Sequence, residues 1–197
     1  MDAQFELACT RVADLPPPSL VELAVVGRSN CGKSSLINAL TGQRRLAHTS
    51  STPGRTRQLV FFRLRAPDVA PFFLVDLPGY GYAKASKAAQ DAWATLVNDY
   101  IDTRQTLAAL LLLADGRRAP GREERDLLRW GKTRGLHGLI LLTKADKLNK
   151  SERFGAAQRW KTELGLAKRP LVVSVHDPAT VALAREALLA LLSASRR

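Results

Sequence analysis

Gly27-Arg28-Ser29-Asn30-Cys31-Gly32-Lys33-Ser34 follows the spacing of a phosphate-binding loop, G-x-x-x-x-G-K-[ST]. Before it lies an apolar run, Leu23-Ala24-Val25-Val26, and after it a helix-like run, Ser35-Leu36-Ile37-Asn38-Ala39-Leu40. That strand–loop–helix context is what the motif requires, and it argues against a chance Gly-rich turn. Glycine lets the backbone turn tightly and approach an anion. The helix that follows aims its free N–H groups and positive dipole end at a phosphate. Lys33 adds a charge near the terminal phosphates, and the Ser34 hydroxyl is placed to ligate Mg2+.

Outward from this loop, apolar strands alternate with helices. Val21–Val26 reads as the first buried strand and residues 33–41 as the first helix. Gly42 to Arg57 is long and polar, a length that is usually functional or disordered. Gln58–Leu64 and Pro71–Val75 read as strands, the second ending in Asp76-Leu77-Pro78-Gly79. After Tyr80-Gly81-Tyr82-Ala83, a helix carries Trp93, Leu96, Val97, Tyr100 and Ile101 on one face. Leu107–Ala114 is a strand buried on both faces, and Gly121 to Arg134 a basic helix. Leu139–Leu142 is a strand ending in Thr143-Lys144-Ala145-Asp146. Ser151–Leu164 is a helix with Phe154, Ala157, Trp160 and Leu164 inward, and Pro170–Val175 the last strand. Asp177-Pro178 starts the final helix, with Val181, Ala184, Leu188 and Leu191 on one face and a polar tail, residues 194–197, beyond it. Residues 1–20 are a lead-in: Phe5 to Val12 is a short strand or a covering segment, and Pro16-Pro17-Pro18 a stiff connector. The pattern gives an α/β fold, a mostly parallel six-stranded sheet with helices on both faces. Ligands of such sheets bind at the carboxyl ends of the strands, where the polar motifs lie.

At 197 residues the chain is sized for one domain, residues 21–193. Its net charge of +12 suggests a polyanionic partner, nucleic acid or an anionic surface, against the plainer reading of a soluble basic protein. Arg117, Arg118, Arg122, Arg125, Arg129, Lys132 and Arg134 are dense around the basic helix; a solvated face and an RNA-binding face both fit. Cys31 sits inside the phosphate loop, a poor place for a disulfide, so a reducing cytoplasm is expected. The N-terminus lacks the basic-then-apolar form of a signal peptide, and no apolar run approaches the roughly 20 residues of a membrane span.

Two further motifs complete the chemistry. Asp76, at the end of an apolar strand, suits Mg2+ held through water, and the Gly79 N–H suits a terminal phosphate. Asp146 carries more information. A carboxylate accepts two N–H groups from guanine, a donor pair that adenine lacks. The Lys144 stem can cover the base plane. An ATP-dependent kinase is disfavoured on that ground.

Together these stretches, with Thr52-Pro53-Gly54-Arg55-Thr56 and Leu77-Pro78-Gly79-Tyr80-Gly81-Tyr82-Ala83, resemble the EngB (YihA/YsxC) family of bacterial ribosome-biogenesis GTP-binding proteins, among the TrmE-Era-EngA-EngB-Septin-like GTPases. The resemblance spans about residues 5 to 192. It implies a three-layer Ras-like domain that binds GTP or GDP with Mg2+ and hydrolyses GTP. It also implies a role in large ribosomal subunit assembly, with rRNA as partner, and in cell division and septation; the chain is expected to be a monomer. By the same resemblance, Gly27 to Ser34, Gly54, Arg55, Thr56, Arg57, Gln58, Asp76, Leu77, Pro78, Gly79, Thr143, Lys144, Ala145, Asp146, Val173, Ser174 and Val175 surround the nucleotide. Thr56 joins Ser34 as a Mg2+ ligand. Ser174-Val175-His176 departs from the Ser-Ala or Ser-Ser common in relatives, which leaves the base contacts at that edge open.

Lys33, Asn30 and Gly79 are the expected catalytic positions. Tyr80 stands where many GTPases carry a water-orienting glutamine, so slow intrinsic hydrolysis is expected, raised by K+ or by a ribosomal partner. Asn30 matches an asparagine that coordinates K+ in related GTPases; the other reading is that it only shapes the loop.

Overall fold

The protein is described by a computed structural model over residues 1–48, 58–81 and 87–194, without the side chains of residues 87–90, Trp93 and Ala194. Among these residues one sheet of seven strands runs in the order β1-β3-β4-β2-β5-β6-β7. The strands are β1 Asp2–Cys9, β2 Val21–Gly27, β3 Leu59–Ala66, β4 Val69–Asp76, β5 Leu107–Asp115, β6 His137–Thr143 and β7 Leu171–Val172. β3 is antiparallel to β1 and β4, and every other pair is parallel. The strand beyond the six expected is β1, supplied by the lead-in. Only its Ala3 and Cys9 are buried, so its apolar signal is faint and backbone pairing with β3 defines it.

Among the described residues five α-helices cover the sheet: α1 Lys33–Thr41, α2 Lys87–Thr103, α3 Arg122–Thr133, α4 Lys150–Leu164 and α5 Pro178–Ala194. Successive strand residues face opposite sides, and two cores result. Leu23 and Val25 of β2 pack with Leu36 and Ile37 of α1 and with Ala184 and Leu188 of α5. Ala24 and Val26 pack on the other face with Val97 and Tyr100 of α2 and Trp160 of α4. At about 1.5–3 kcal/mol for each large apolar side chain buried, these layers dominate stability.

Three expectations change. Phe154 is 59% exposed rather than inward. The buried stripe of α4 runs through Ala156, Ala157 and Trp160, and Phe154 falls about 90° off the Ala157–Trp160–Leu164 line at 100° per residue. On α5, Leu192 is buried where Leu191 was expected, and Leu191 is half-buried. The last strand is only Leu171–Val172, because the Val173 carbonyl turns to accept from Ala145 N–H in the segment after β6. The Trp93 side chain lies outside the described residues.

The chain leaves β2 through α1 towards the β4 side and leaves the neighbouring β5 through α3 towards β6, so the two connections diverge and open a crevice at the carboxyl ends of β2 and β5. At the other end of β2, Glu22 is fully buried. It accepts from Tyr100 Oη at 2.7 Å, Arg104 Nε at 2.6 Å and Thr106 Oγ1 at 2.7 Å. A buried carboxylate persists only with such partners. No described helix is long and apolar enough to cross a membrane.

Candidate functional site

The loop after β2 is built from backbone geometry. A Cβ on Gly27 would stand 2.3 Å from the Leu113 carbonyl oxygen, so only glycine lets β2 and β5 close here. Asn30 (φ 61°) and Gly32 (φ 102°) are both left-handed, a conformation that asparagine and glycine tolerate best. Gly32 caps α1 without a side-chain hydrogen bond, leaving the first N–H groups of the helix for an anion. Lys33 and Ser34, in the first turn, are half-buried.

Neighbouring strands hold this cradle from two sides. On the β4 side, Leu77 N–H donates to Val25 at 2.9 Å and Tyr80 N–H to Gly27 at 3.3 Å, while Ser29 N–H donates to Tyr80 at 2.8 Å. On the β6 side, Thr143 Oγ1 reaches the Cys31 carbonyl and, at 3.0 Å, that of Ala114. Lys144, itself left-handed, donates from Nζ to the Asn30 carbonyl at 2.8 Å and pairs with Asp115 at 3.1 Å.

Asp76 ends β4 beside the cradle. It is buried, and among the described residues its Oδ1 has no hydrogen-bond partner. Burial pushes its pKa up to about 6, against the pull of the Lys33 ammonium. A buried carboxylate oxygen left unpaired is the fit expected of a group that completes a hydrated Mg2+. Gly79 packs closely: a Cβ there would lie 2.9 Å from Lys33 Nζ and from Ser29 N. Leu77 points into the core, so any contact it makes with a ligand runs through its backbone. Pro78 is buried between them. The Tyr80 hydroxyl donates to Glu124 Oε1 at 2.9 Å, and burial raises its pKa well above the usual phenol value.

The guanine-side residues converge as well. Ala145 N–H donates to Val173 at 3.2 Å, which sets the Val173-Ser174-Val175 turn against the Thr143–Asp146 motif. Ser174 Oγ donates to Asp146 Oδ1 at 3.2 Å. Partial burial alone would raise the Asp146 pKa; backbone N–H, the Ser174 hydroxyl and Lys147 outweigh it and hold the carboxyl below its usual value. Thr180 fixes the turn, accepting from Ser174 N–H at 3.1 Å.

Gly54, Arg55, Thr56 and Arg57 lie outside the described residues. Gln58 is exposed just before β3, at the end of the sheet where Val60 pairs with Asp76. One residue that sequence reasoning missed, Asp115, joins the site. Asp115 anchors Lys144 and accepts from Arg117 Nη2 at 2.7 Å. Burial works to raise its pKa, but Arg117 and Lys144 hold it well below the usual carboxylate range. An acid closing the apolar run Leu107–Ala114, as Asp76 closes its own strand, was the available signal. A cleft of about 440 Å³ opens between the loop and α3, lined among others by Arg28, Asn30, Arg117 and Glu124.

The basic helix is less available than its sequence suggests. Arg125 pairs with Glu163 at 2.8 Å, Arg134 with Asp102 at 2.8 Å, and Arg122 and Arg129 with Asp126 at 3.4 and 3.5 Å. These surface pairs add little stability, but they neutralise most of the charge.

Comparison with known proteins agrees with this geometry. Residues 22–144 match the 50S ribosome-binding GTPase family model. A probable GTP-binding protein EngB of Geobacter metallireducens is 44% identical over 166 residues, covering 84% of this chain and 79% of the relative. Another, from Rhodopseudomonas palustris, is 41% identical over 98% of this chain and 90% of its own. Among solved structures, a probable GTP-binding protein EngB aligns with TM-score 0.65 and 19% identity, over 88% of this chain and 99% of that one. Era bound to MgGDPNP and a segment of 16S ribosomal RNA aligns with TM-score 0.69 and 18% identity, over 87% of this chain and 55% of that one. At such identities these two structures speak for the fold alone.

Proposed function

The chain belongs to the EngB family of GTP-binding proteins, within the wider 50S ribosome-binding GTPase family, and is a GTPase; on that premise we propose that it acts as a GTP-dependent switch in assembly of the large ribosomal subunit. The observation that carries the nucleotide part is the Asp146 carboxylate, kept ionised and oriented by Ser174 where a guanine edge can donate to it. The phosphates rest on the cradle N–H groups and Lys33. Ser34, with Thr56, would hold Mg2+, and Asp76 would support it through water. When bound, Mg2+ neutralises charge that develops on the phosphate oxygens.

Slow intrinsic turnover follows from Tyr80, whose hydroxyl is engaged with Glu124 and is not free to orient water. Asn30, exposed beside the cradle, supports K+ as the missing positive charge. Equal turnover in K+ and Na+ would remove K+ from the account. The ribosomal role rests on family membership and on the charge of +12. The chain is taken to work as a monomer in a reducing cytoplasm. A role in cell division and septation rests on the family alone, and is tested by whether depletion blocks septation while ribosome assembly is intact.

The central experiment has two arms. Asp146→Ala should weaken GTP binding by about 100-fold or more, from loss of two charge-assisted hydrogen bonds of about 1.5–3 kcal/mol each, with no gain for ATP. Wild-type protein should retain large ribosomal subunits in the GTP form and release them in the GDP form. Equal retention in both forms, with single-turnover hydrolysis unchanged by particles, would favour a scaffold in which hydrolysis is incidental.

A further inference from the structure

The face of α4 away from the nucleotide is chemically unlike that of α3. Lys150, Phe154 and Lys161 fall on one stripe, at i, i+4 and i+11; Phe154 stands about 120° from the buried Trp160, and Lys150 and Lys161 border the Ala157 line, Lys150 exposed and Lys161 half-buried. Phe154 is exposed, and the Arg169 guanidinium lies over its ring at 4.5 Å from the centroid. Lys168 is exposed beside Arg169, just before β7. Among the described residues no ion pair engages Lys150, Lys161, Lys168 or Arg169. The acids of α4 are committed elsewhere: Glu152 accepts from Asn149 N–H at 2.7 Å, and Glu163 pairs with Arg125. This patch therefore keeps its positive charge, whereas most of the charge on α3 is spent on internal pairs.

We propose that the α4 face formed by Lys150, Phe154, Lys161, Lys168 and Arg169 docks single-stranded RNA, one base stacking on the Phe154–Arg169 pair and the backbone phosphates lying along the lysines. The inference rests on the ribosomal reading above and names the surface that serves it. An exposed ring under a guanidinium is a stacking platform for an unpaired base, and the lysines supply sequence-tolerant phosphate contacts. A membrane surface fits less well, since a lone ring is no continuous apolar face. Arg153 donates from Nε to the carbonyls of Ala145 and Leu148, each at 3.0 Å, so the docking face is tied to the turn that carries Asp146.

The test uses the full chain with a non-hydrolysable GTP analogue and a fluorescein-labelled 12-nucleotide oligouridylate, read by anisotropy, beside co-sedimentation with large ribosomal subunits. Phe154→Ala should weaken RNA binding about 5- to 150-fold, the range for one stacked base. Lys150→Ala with Lys168→Ala should lower the slope of log affinity against log salt by about 1.4, at about 0.7 per phosphate contact. Arg122→Ala with Arg129→Ala should leave binding unchanged, and affinity for a fluorescent GDP should hold in every variant. Phe154→Leu keeps an apolar side chain without the flat ring; it should lose the stacking even if Phe154→Ala folds poorly. Wild-type affinity in the Phe154 and lysine variants would overturn the proposal. So would loss of binding to phosphatidylserine vesicles with RNA binding intact. If the wild type binds ribosomal subunits but not the oligonucleotide, this surface assignment fails and the ribosomal reading stands; if it binds neither, both fail.

Discussion

Asp76 shows how a single side chain ties the ligand-free protein to its chemistry. With Oδ1 unpaired among the described residues and burial the largest influence, its pKa is raised to about 6 from the ordinary 3.8. A carboxyl raised in this way favours the fold while it is protonated. Its contribution is complete below about pH 4 and is lost as pH climbs through 6. At roughly 1.4 kcal/mol per pH step, ionisation at pH 7 costs on the order of 3 kcal/mol. Asp76→Asn should therefore stabilise the ligand-free protein by up to about 3 kcal/mol at pH 7 and by nothing at pH 4. Thermal melts across that range check this, and a pH-independent gain would count against it. Lys33, Asp76 and Asp146 were legible in the sequence because each belongs to a local motif. Asp115 was not: its pairing with Lys144 depends on the β5–β6 register, which sets Asp115 opposite Thr143.

At the scale of elements, the parts are held by a few cross-connections. Glu124 near the start of α3 accepts from both Tyr80 and the Gly121 N–H, at 2.9 and 2.7 Å, joining the segment after β4 to this helix. Two glycines behave oppositely. Gly155 sits in α4 with open space around its Cβ position, so Gly155→Ala should stabilise by about 0.5–1 kcal/mol through helix propensity. Gly27→Ala meets the Leu113 carbonyl and should destabilise by about 2 kcal/mol or more, since rigid backbone must move. Urea midpoints of the two variants measure both signs. Helix order and most boundaries were readable from periodicity and capping residues. The neutralisation of α3 was not, because Glu163 and Asp102 lie 38 and 32 residues from their arginine partners. The phase of Phe154 misled for a related reason: an apolar residue off the buried stripe looks inward when only spacing to Ala157 is considered.

Across the whole molecule, one sheet separates two apolar layers and both depend on it. Tyr100 and Trp160 serve one layer, Leu36 and Leu188 the other, and alternate residues of β2 and β5 bridge them. Neither layer has a sheet of its own to fall back on, so urea unfolding should be a single transition. Tryptophan fluorescence, which reads the Trp160 layer, should coincide with far-UV circular dichroism, which reads both; separated midpoints would show the layers melting independently. The parallel arrangement leaves a different problem at the margins, where a strand has only one neighbour. β7 meets it by being two residues long. β3 carries Phe61 and Phe62 and would otherwise offer a free row of backbone donors and acceptors to any other chain. β1 takes up that row from Asp2 to Cys9, kinks near Glu6 and sets the Glu6–Arg63 ion pair on its surface. The faint N-terminal segment thus replaces the apolar edge of β3 with a bulged, mostly exposed one of its own, and it covers a strand that follows it by some 50 residues. A nascent chain makes this covering strand first and can seat it only when β3 has been made.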